Sequence, residues 1–193
     1  AADIAALAGS TLPAPMFDLD VGNVGLPGSA SFANGVYTLQ GGGADIWNAS
    51  DAFHFAPQCM TGDGTITVRV ASQANTNPWT KSGLMIRTTL DSNAQNVLIA
   101  ITPGYGAQMT YRAGTGAMTN QAGIASGPTA PYWVRLTRAG NTFTGFMSPD
   151  GVNWTQVGST TVNMPATVFG GLMVLSHNSQ VLNVSTFDNL TFA

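Results

Sequence analysis

The sequence predicts an all-β chain folded as an antiparallel two-sheet sandwich, and three observations carry that reading. Tyr132, Val134 and Leu136 alternate against Trp133, Arg135 and Thr137, Gly140-Asn141 closes a hairpin behind them, and Asp150-Gly151 marks another two-residue turn before Trp154. Roughly a dozen short segments of this kind follow one another at hairpin-scale spacing, with no helical stretch to make a βαβ crossover. Composition agrees: 23 glycines, abundant Thr and Asn and no Glu favour turns and pleated strands over helices. Periodicity alone does not separate a sandwich from a closed barrel, which is the structural alternative.

The elements follow in order. Residues 1–16 read as an N-terminal arm or extra strand: Ala1 to Leu12 is apolar, and its pattern leaves open a short helix, a tucked terminal segment or a strand paired with another subunit. Pro13 and Pro15 end it, and one domain is expected over 17–193. Phe17, Leu19 and Val21 alternate as a first strand, and Asn34-Gly35 punctuates a hairpin between SASFA and VYTLQ. Gly41 to Gly43 and Asp45 to Asp51 form a loop before Phe53 and Phe55 resume a strand. Ile66, Val68 and Val70 oppose Thr67 and Arg69; after a turn-rich loop at Asn75 to Trp79, Leu84 and Ile86 oppose Met85 and Arg87. Val97 to Thr102 is a strand stopped by Pro103-Gly104, and Gln108 to Arg112 follows it. Ala113 to Pro131 is loop or edge strand, and His177-Asn178-Ser179 separates strands at Val168 to Ser176 and Val181 to Phe192.

Charged residues are 8% of the chain against roughly 25% in an ordinary globular protein, so Thr, Ser, Asn and Gln must carry the solvent face. Such a surface suits secretion, self-association or an extracellular monomer. Six Lys and Arg against nine Asp give a net charge of −3, which excludes a phosphate-neutralising nucleic-acid surface. No apolar run reaches the ~20 residues of a membrane-spanning helix. Cys59 stands alone, which excludes an internal disulfide and a cysteine zinc site; beside Met60 it reads as a buried small hydrophobe. The opening AADIAALAGS is either a mature end left after signal-peptide removal or an arbitrary chain boundary.

Several residues are candidates for binding. Arg69, Arg87, Arg112 and Arg135 stand in four strands and offer planar donor forks to sugar hydroxyls, carboxylates or sulfates, unless they pair with Asp. Trp47 and Trp79 lie in polar loops and suit stacking on a sugar ring, whereas Trp133 and Trp154 belong to hairpin packing. His54, between two Phe, faces opposite them, and His177 lies in a loop; each serves either a structural hydrogen bond or a ligand. Asp18 and Asp20 share one side of a strand and read as backbone caps, a cation site, or an acid and nucleophile pair. Asp20, Asp45, Asp51, Asp63 and Asp188 sit near Gly or Asn, where oxygen ligands for Ca2+ are accessible.

The ordered segments DLDVGNVGLPGS, GGGADIWNASDAFHF, GDGTITVRVAS, WTKSGLMIR, APYWVRLTRAGNTFTGFMSPDGVNW and GLMVLSHN…FDNLTF resemble the bacterial concanavalin A-like glucanase or lectin superfamily, and within it modules of secreted and cell-surface multidomain proteins. The resemblance implies a jelly-roll sandwich with a curved sheet whose concave face takes ligands. Hydrolases of this fold carry closely spaced carboxylates, typically glutamates, and this chain has no Glu. The expected function is therefore a non-catalytic extracellular or cell-surface module binding polysaccharide, surface glycan or matrix through Trp47, His54, Trp79, Arg87, Arg112, Arg135 and His177. The alternative is a structural subunit of an extracellular fibre or homo-oligomer built through the N-terminal segment, with glycoside hydrolysis third. No cofactor is required; the resemblance adds a structural Ca2+, for which Asp20 and Asp188 are the candidate ligands.

Overall fold

A computed structural model describes residues 11–193. Fourteen strands, numbered in chain order, form two seven-stranded antiparallel sheets. The first has the order β1 (Leu19–Val21), β4 (Phe53–Thr61), β13 (Thr167–Leu175), β6 (Lys81–Arg87), β7 (Asn96–Thr102), β8 (Gly106–Arg112) and β9 (Asn120–Ala125). The second has the order β12 (Thr155–Thr161), β11 (Thr142–Ser148), β10 (Tyr132–Ala139), β5 (Gly64–Gln73), β14 (Asn183–Phe192), β3 (Val36–Gly41) and β2 (Ser29–Ala33). The two sheets share no paired strands, so the architecture is the sandwich and not the barrel.

Local chemistry sets the connections. Asn34 and Gly35 both adopt positive φ, 53° and 81°, which the tight β2–β3 turn requires and which Asn and Gly tolerate. Gly140-Asn141 joins β10 to β11 with Gly140 at φ 59°. The expected two-residue turn at Asp150-Gly151 is instead part of a longer connection over residues 149–154. There the Asp150 carboxylate accepts the N–H groups of Val152 and Asn153 at 2.9 and 2.8 Å, so it organises a loop rather than a minimal hairpin.

Between the sheets, β5 contributes Ile66, Val68 and Val70, β10 Val134 and Leu136, β6 Leu84 and Ile86, and β7 Val97, Ile99 and Ile101, all fully buried. Strict alternation places these residues on one face of each strand, as the sequence pattern requires. A second apolar cluster lies on the other, outward face of the first sheet: Phe53, Phe55, Met85, Leu98, Ala100, Met173 and Leu175, covered by Ile46. That cover explains why β6 and β7 are buried on both faces.

The terminal expectation falls partly outside the described residues, since residues 1–10 are among those not described. Of the rest, Leu12 packs against the core and Met16 is 8% exposed within it. Cys59 corrects its expectation: it lies at an exposed position near the end of β4, because the outward apolar cover does not extend that far along the strand.

Candidate functional site

The outward face of the first sheet ends in a cleft of about 420 Å³ lined by Asp45, Trp47, Trp79, Lys81, Gln108, Gln121 and His177. Alternation puts the floor there. Ala107 and Met109 point into the core between the sheets, so Gln108 projects outward, and Lys81 pairs across with Leu175 of the outward cluster. A depression of about 210 Å³ adjoins the cleft and shares Asp45 and Trp47 with it.

Hydrogen bonds between loops bring the walls together. Thr76 Oγ1 and Thr80 Oγ1 both donate to the Ser176 carbonyl, at 2.7 and 3.1 Å, which fastens the β5–β6 loop to the β13–β14 loop. Asn77 Oδ1 accepts the Trp79 N–H at 2.9 Å, an Asx turn that sets the indole at the rim. Trp79 stacks on Tyr105 with ring centroids 3.8 Å apart. His177, next to Ser176, has φ 54° and donates from Nδ1 to the Ala44 carbonyl at 2.6 Å, joining its loop to the 42–52 cover. Within that cover Ile46 bridges Asp51, and both are buried, so the intervening turn carries Trp47 outward, where it is 39% exposed. Thr119 N–H fixes the Trp47 carbonyl at 3.1 Å. Tyr105 and Ile124, 41% exposed each, add apolar surface beside the cleft.

The polar groups of the cleft are held tightly. Lys81, 1% exposed, places Nζ 2.6 Å from Asp45 Oδ1 and 5.8 Å from the Trp79 ring centroid. Gln108 is 2% exposed and donates weakly to Gln121 at 3.4 Å, while its Oε1 is buried with no partner. Thr110 Oγ1, two residues along the same face, is also buried without one. A buried acceptor left in this state costs roughly 1–3 kcal/mol unless something entering the site supplies the bond.

Of the residues expected to bind, the fold gathers Trp47, Trp79 and His177 at this cleft and places the others elsewhere. Arg87 and Arg112 correct the idea of a basic ligand face. They form a row with Asn96 across β6, β7 and β8, fully buried, with Asp51 lying over them. Arg112 reaches Asp51 Oδ1 at 2.5 Å, and Arg87 and Asn96 reach Oδ2 at 3.3 and 3.2 Å. Backbone carbonyls take most of the remaining guanidinium N–H groups. Burial pushes the Asp51 carboxyl upward and the Arg87 guanidinium down to about 10, and their mutual attraction opposes both shifts. The cluster is thus a charged girder beneath the cover.

His54 is likewise buried away from the cleft. Its Nδ1 lies 2.8 Å from Asp20 Oδ1 and its Nε2 3.3 Å from Asp18 Oδ2, the latter without good hydrogen-bond alignment. The expected shared face of Asp18 and Asp20 holds, but its occupant is His54, with Gly28 and Ala30 N–H groups capping the carboxylates. A β-carbon at Gly28 would stand 2.3 Å from the imidazole, so the contact requires glycine there. Arg135 lies on the opposite sheet, 3.8 Å above the Trp154 ring, with Nε donating to Thr67 at 3.1 Å.

The donors at Asp20 and Asp188 do not fit Ca2+. Asp20 is taken up by His54 and the Gly28 N–H, and Asp188 by the Arg69 guanidinium on the other sheet. Among the described residues, no group of three or more His, Cys, Asp or Glu gathers to hold a metal. Sequence reasoning missed Lys81, Gln108, Gln121 and Tyr105 as site residues and took Asp45 only as a candidate cation ligand. Lys81 and Gln108 read as ordinary strand positions, and only the outward parity of β6 and β8 in the assembled sheet marks them.

No protein-family model and no curated protein matches the chain. Among solved structures it is similar to a functionally unknown protein from Saccharomyces cerevisiae, at 18% identity and TM-score 0.70, covering 86% of this chain and 91% of that one. It is similar to the carbohydrate-binding module CBM66 from Bacillus subtilis, at 15% identity and TM-score 0.57, covering 95% and 98%. A GH43 protein, BlXynB, from Bacillus licheniformis matches at 11% identity and TM-score 0.59, covering 80% of this chain but only 32% of that one. These likenesses show a concanavalin A-like, jelly-roll β-sandwich, a fold distantly shared with several carbohydrate-active and carbohydrate-binding proteins.

Proposed function

We propose that the chain is a non-catalytic carbohydrate-binding module of an extracellular or cell-surface protein. The observation that carries this reading is the cleft itself, where Trp47 and Trp79 flank the Lys81–Asp45 pair and the buried Gln108 carboxamide. Apolar walls with a few fixed polar groups are what a sugar ring needs: its C–H faces pack on indoles while its hydroxyls find oriented partners. The fold shared with CBM66 supports the class.

Non-catalysis rests on the carboxylates. Glycoside hydrolysis ordinarily uses two, about 5–10 Å apart across the scissile bond. Asp45 is the one acid among the described residues lining the cleft, and it is committed to Lys81. The low charge of the surface supports an extracellular setting. The fibre-subunit role depends on the N-terminal segment Ala1 to Leu12, of which residues 1–10 lie outside the described set.

Retention on immobilised polysaccharides in an affinity gel tests the proposal. Trp47→Ala and Trp79→Ala should each abolish or strongly reduce retention while circular dichroism and Tm stay close to the parent. Unchanged retention in both variants would overturn the assignment of the site.

A further inference from the structure

We infer that the cleft takes a neutral saccharide and discriminates against uronic acids and sulfated sugars; this rests on the carbohydrate-binding reading above. The charge inventory of the chain leads there. It has six Lys and Arg in all, and none is free in the cleft. Lys81 is 1% exposed and its ammonium is held by Asp45 at 2.6 Å, with the Trp79 carbonyl at 3.5 Å. Arg87 and Arg112 are sealed under Asp51. Arg69 pairs with Asp188, Arg135 bonds Thr67 and covers Trp154, and Arg138 donates to the carbonyls of Gly140, Met164 and Pro165. A carboxylate or sulfate entering the cleft would meet the Asp45 carboxylate and find no unpaired guanidinium or ammonium.

The floor makes a complementary demand. Gln108 lines the cleft, is nine-tenths or more buried, and its amide oxygen, also buried, has no partner. A carbonyl oxygen accepts and never donates, so it favours a hydroxyl and repels an anion. Asp45 Oδ2, which lies 3.7 Å from His177 Nδ1, is a second acceptor at the wall. A sugar hydroxyl donates to either acceptor and uses its own lone pairs toward Gln121, so a ligand with adjacent hydroxyls and no charge satisfies the site. The volume of about 420 Å³ sits at the lower end of ligand pockets, which suits a short stretch of glycan.

Matched pairs test this: methyl glucoside against methyl glucuronide, and methyl galactoside against methyl galacturonide, titrated by calorimetry at low ionic strength. A parallel panel sets neutral glucan, xylan, mannan, arabinan, galactan and fructan against polygalacturonate, alginate and a sulfated glycan. The expected result is retention on at least one neutral polymer, with charged polymers or counterparts bound at least ~10-fold more weakly, a difference of one decade in Kd. Gln108→Leu should lower neutral-glycan affinity about 10-fold without lowering Tm, since it removes a buried acceptor that has no partner in the free protein. Gln108→Lys, which places an ammonium at the floor, should raise relative affinity for the acidic ligands. Equal or tighter binding of acidic ligands by the parent, or neutral binding indifferent to Gln108→Leu, overturns the inference and leaves the carbohydrate reading standing. Retention on no polymer at all overturns both.

Discussion

The imidazole of His54 is buried 2.8 Å from the Asp20 carboxylate, and Asp18 approaches its other nitrogen at 3.3 Å. This clamp joins β4 to β1 and, through the Gly28 and Ala30 N–H groups that cap the same carboxylates, to the start of β2. It therefore ties the edge of one sheet to the edge of the other.

A pH dependence of stability follows. Burial lowers the His54 pKa, but the carboxylates of Asp18 and Asp20 beside its two nitrogens outweigh it and leave the folded value raised above 6.5. A raised value means the folded state binds the proton more tightly than the unfolded one. The stabilisation is fully present below the unfolded pKa near ~6.5 and is lost as pH rises through the folded value. Tm should fall through that alkaline-side window, and His54→Gln should flatten the profile while costing about 1–3 kcal/mol at pH 6. A parent profile identical to that of the variant would remove the clamp from the account.

Asp51 should be among the most sensitive positions in the chain. Asp51→Ala leaves two fully buried guanidiniums without their anion. Breaking a buried pair in this way costs about 3–5 kcal/mol, equivalent to a Tm fall on the order of 10 °C for a domain of this size. Chemical denaturation of Asp51→Ala and Arg87→Ala checks it: both should show lower midpoints. Arg87→Ala should weaken glycan retention only as far as it unfolds the protein.

Tyr105 contributes through Trp79, on which it stacks at 3.8 Å. Tyr105→Ala removes a contact worth about 0.5–1.5 kcal/mol and frees the indole, so glycan affinity should drop roughly 2- to 10-fold with the fold intact. Isothermal titration with the best neutral ligand, alongside a Tm measurement, separates the two effects.

Calcium should leave stability unchanged. A cation bound at 100 times its Kd would add about 2.7 kcal/mol, several degrees in Tm. With Asp20 and Asp188 occupied by protein partners, Tm in millimolar Ca2+ and in excess chelator should coincide. A rise of several degrees with Ca2+ would reveal a site formed by other residues.

Glycine and asparagine at the turns, together with two-residue alternation in Ile66 to Val70 and Tyr132 to Leu136, determined the strands and the all-β class, because those signals are local; that the sheets form a sandwich and not a barrel was decided by the strand pairing. The same alternation put Asp20 in β1 and Asp18 just before it on one side of the chain, and Arg87 opposite Leu84 and Ile86. What lies above each outward position was decided only by tertiary structure. Arg87 and Gln108 both occupy outward strand positions with apolar neighbours, yet the Ile46–Asp51 cover seals the first and stops short of the second. Trp47, Trp79 and His177 could be singled out as loop residues, but their meeting depends on hydrogen bonds from Thr76, Thr80 and His177 between loops distant in sequence. Period-two patterning specifies which face a side chain takes; only the assembled sheets and their loops specify whether that face is buried, paired or open to a ligand.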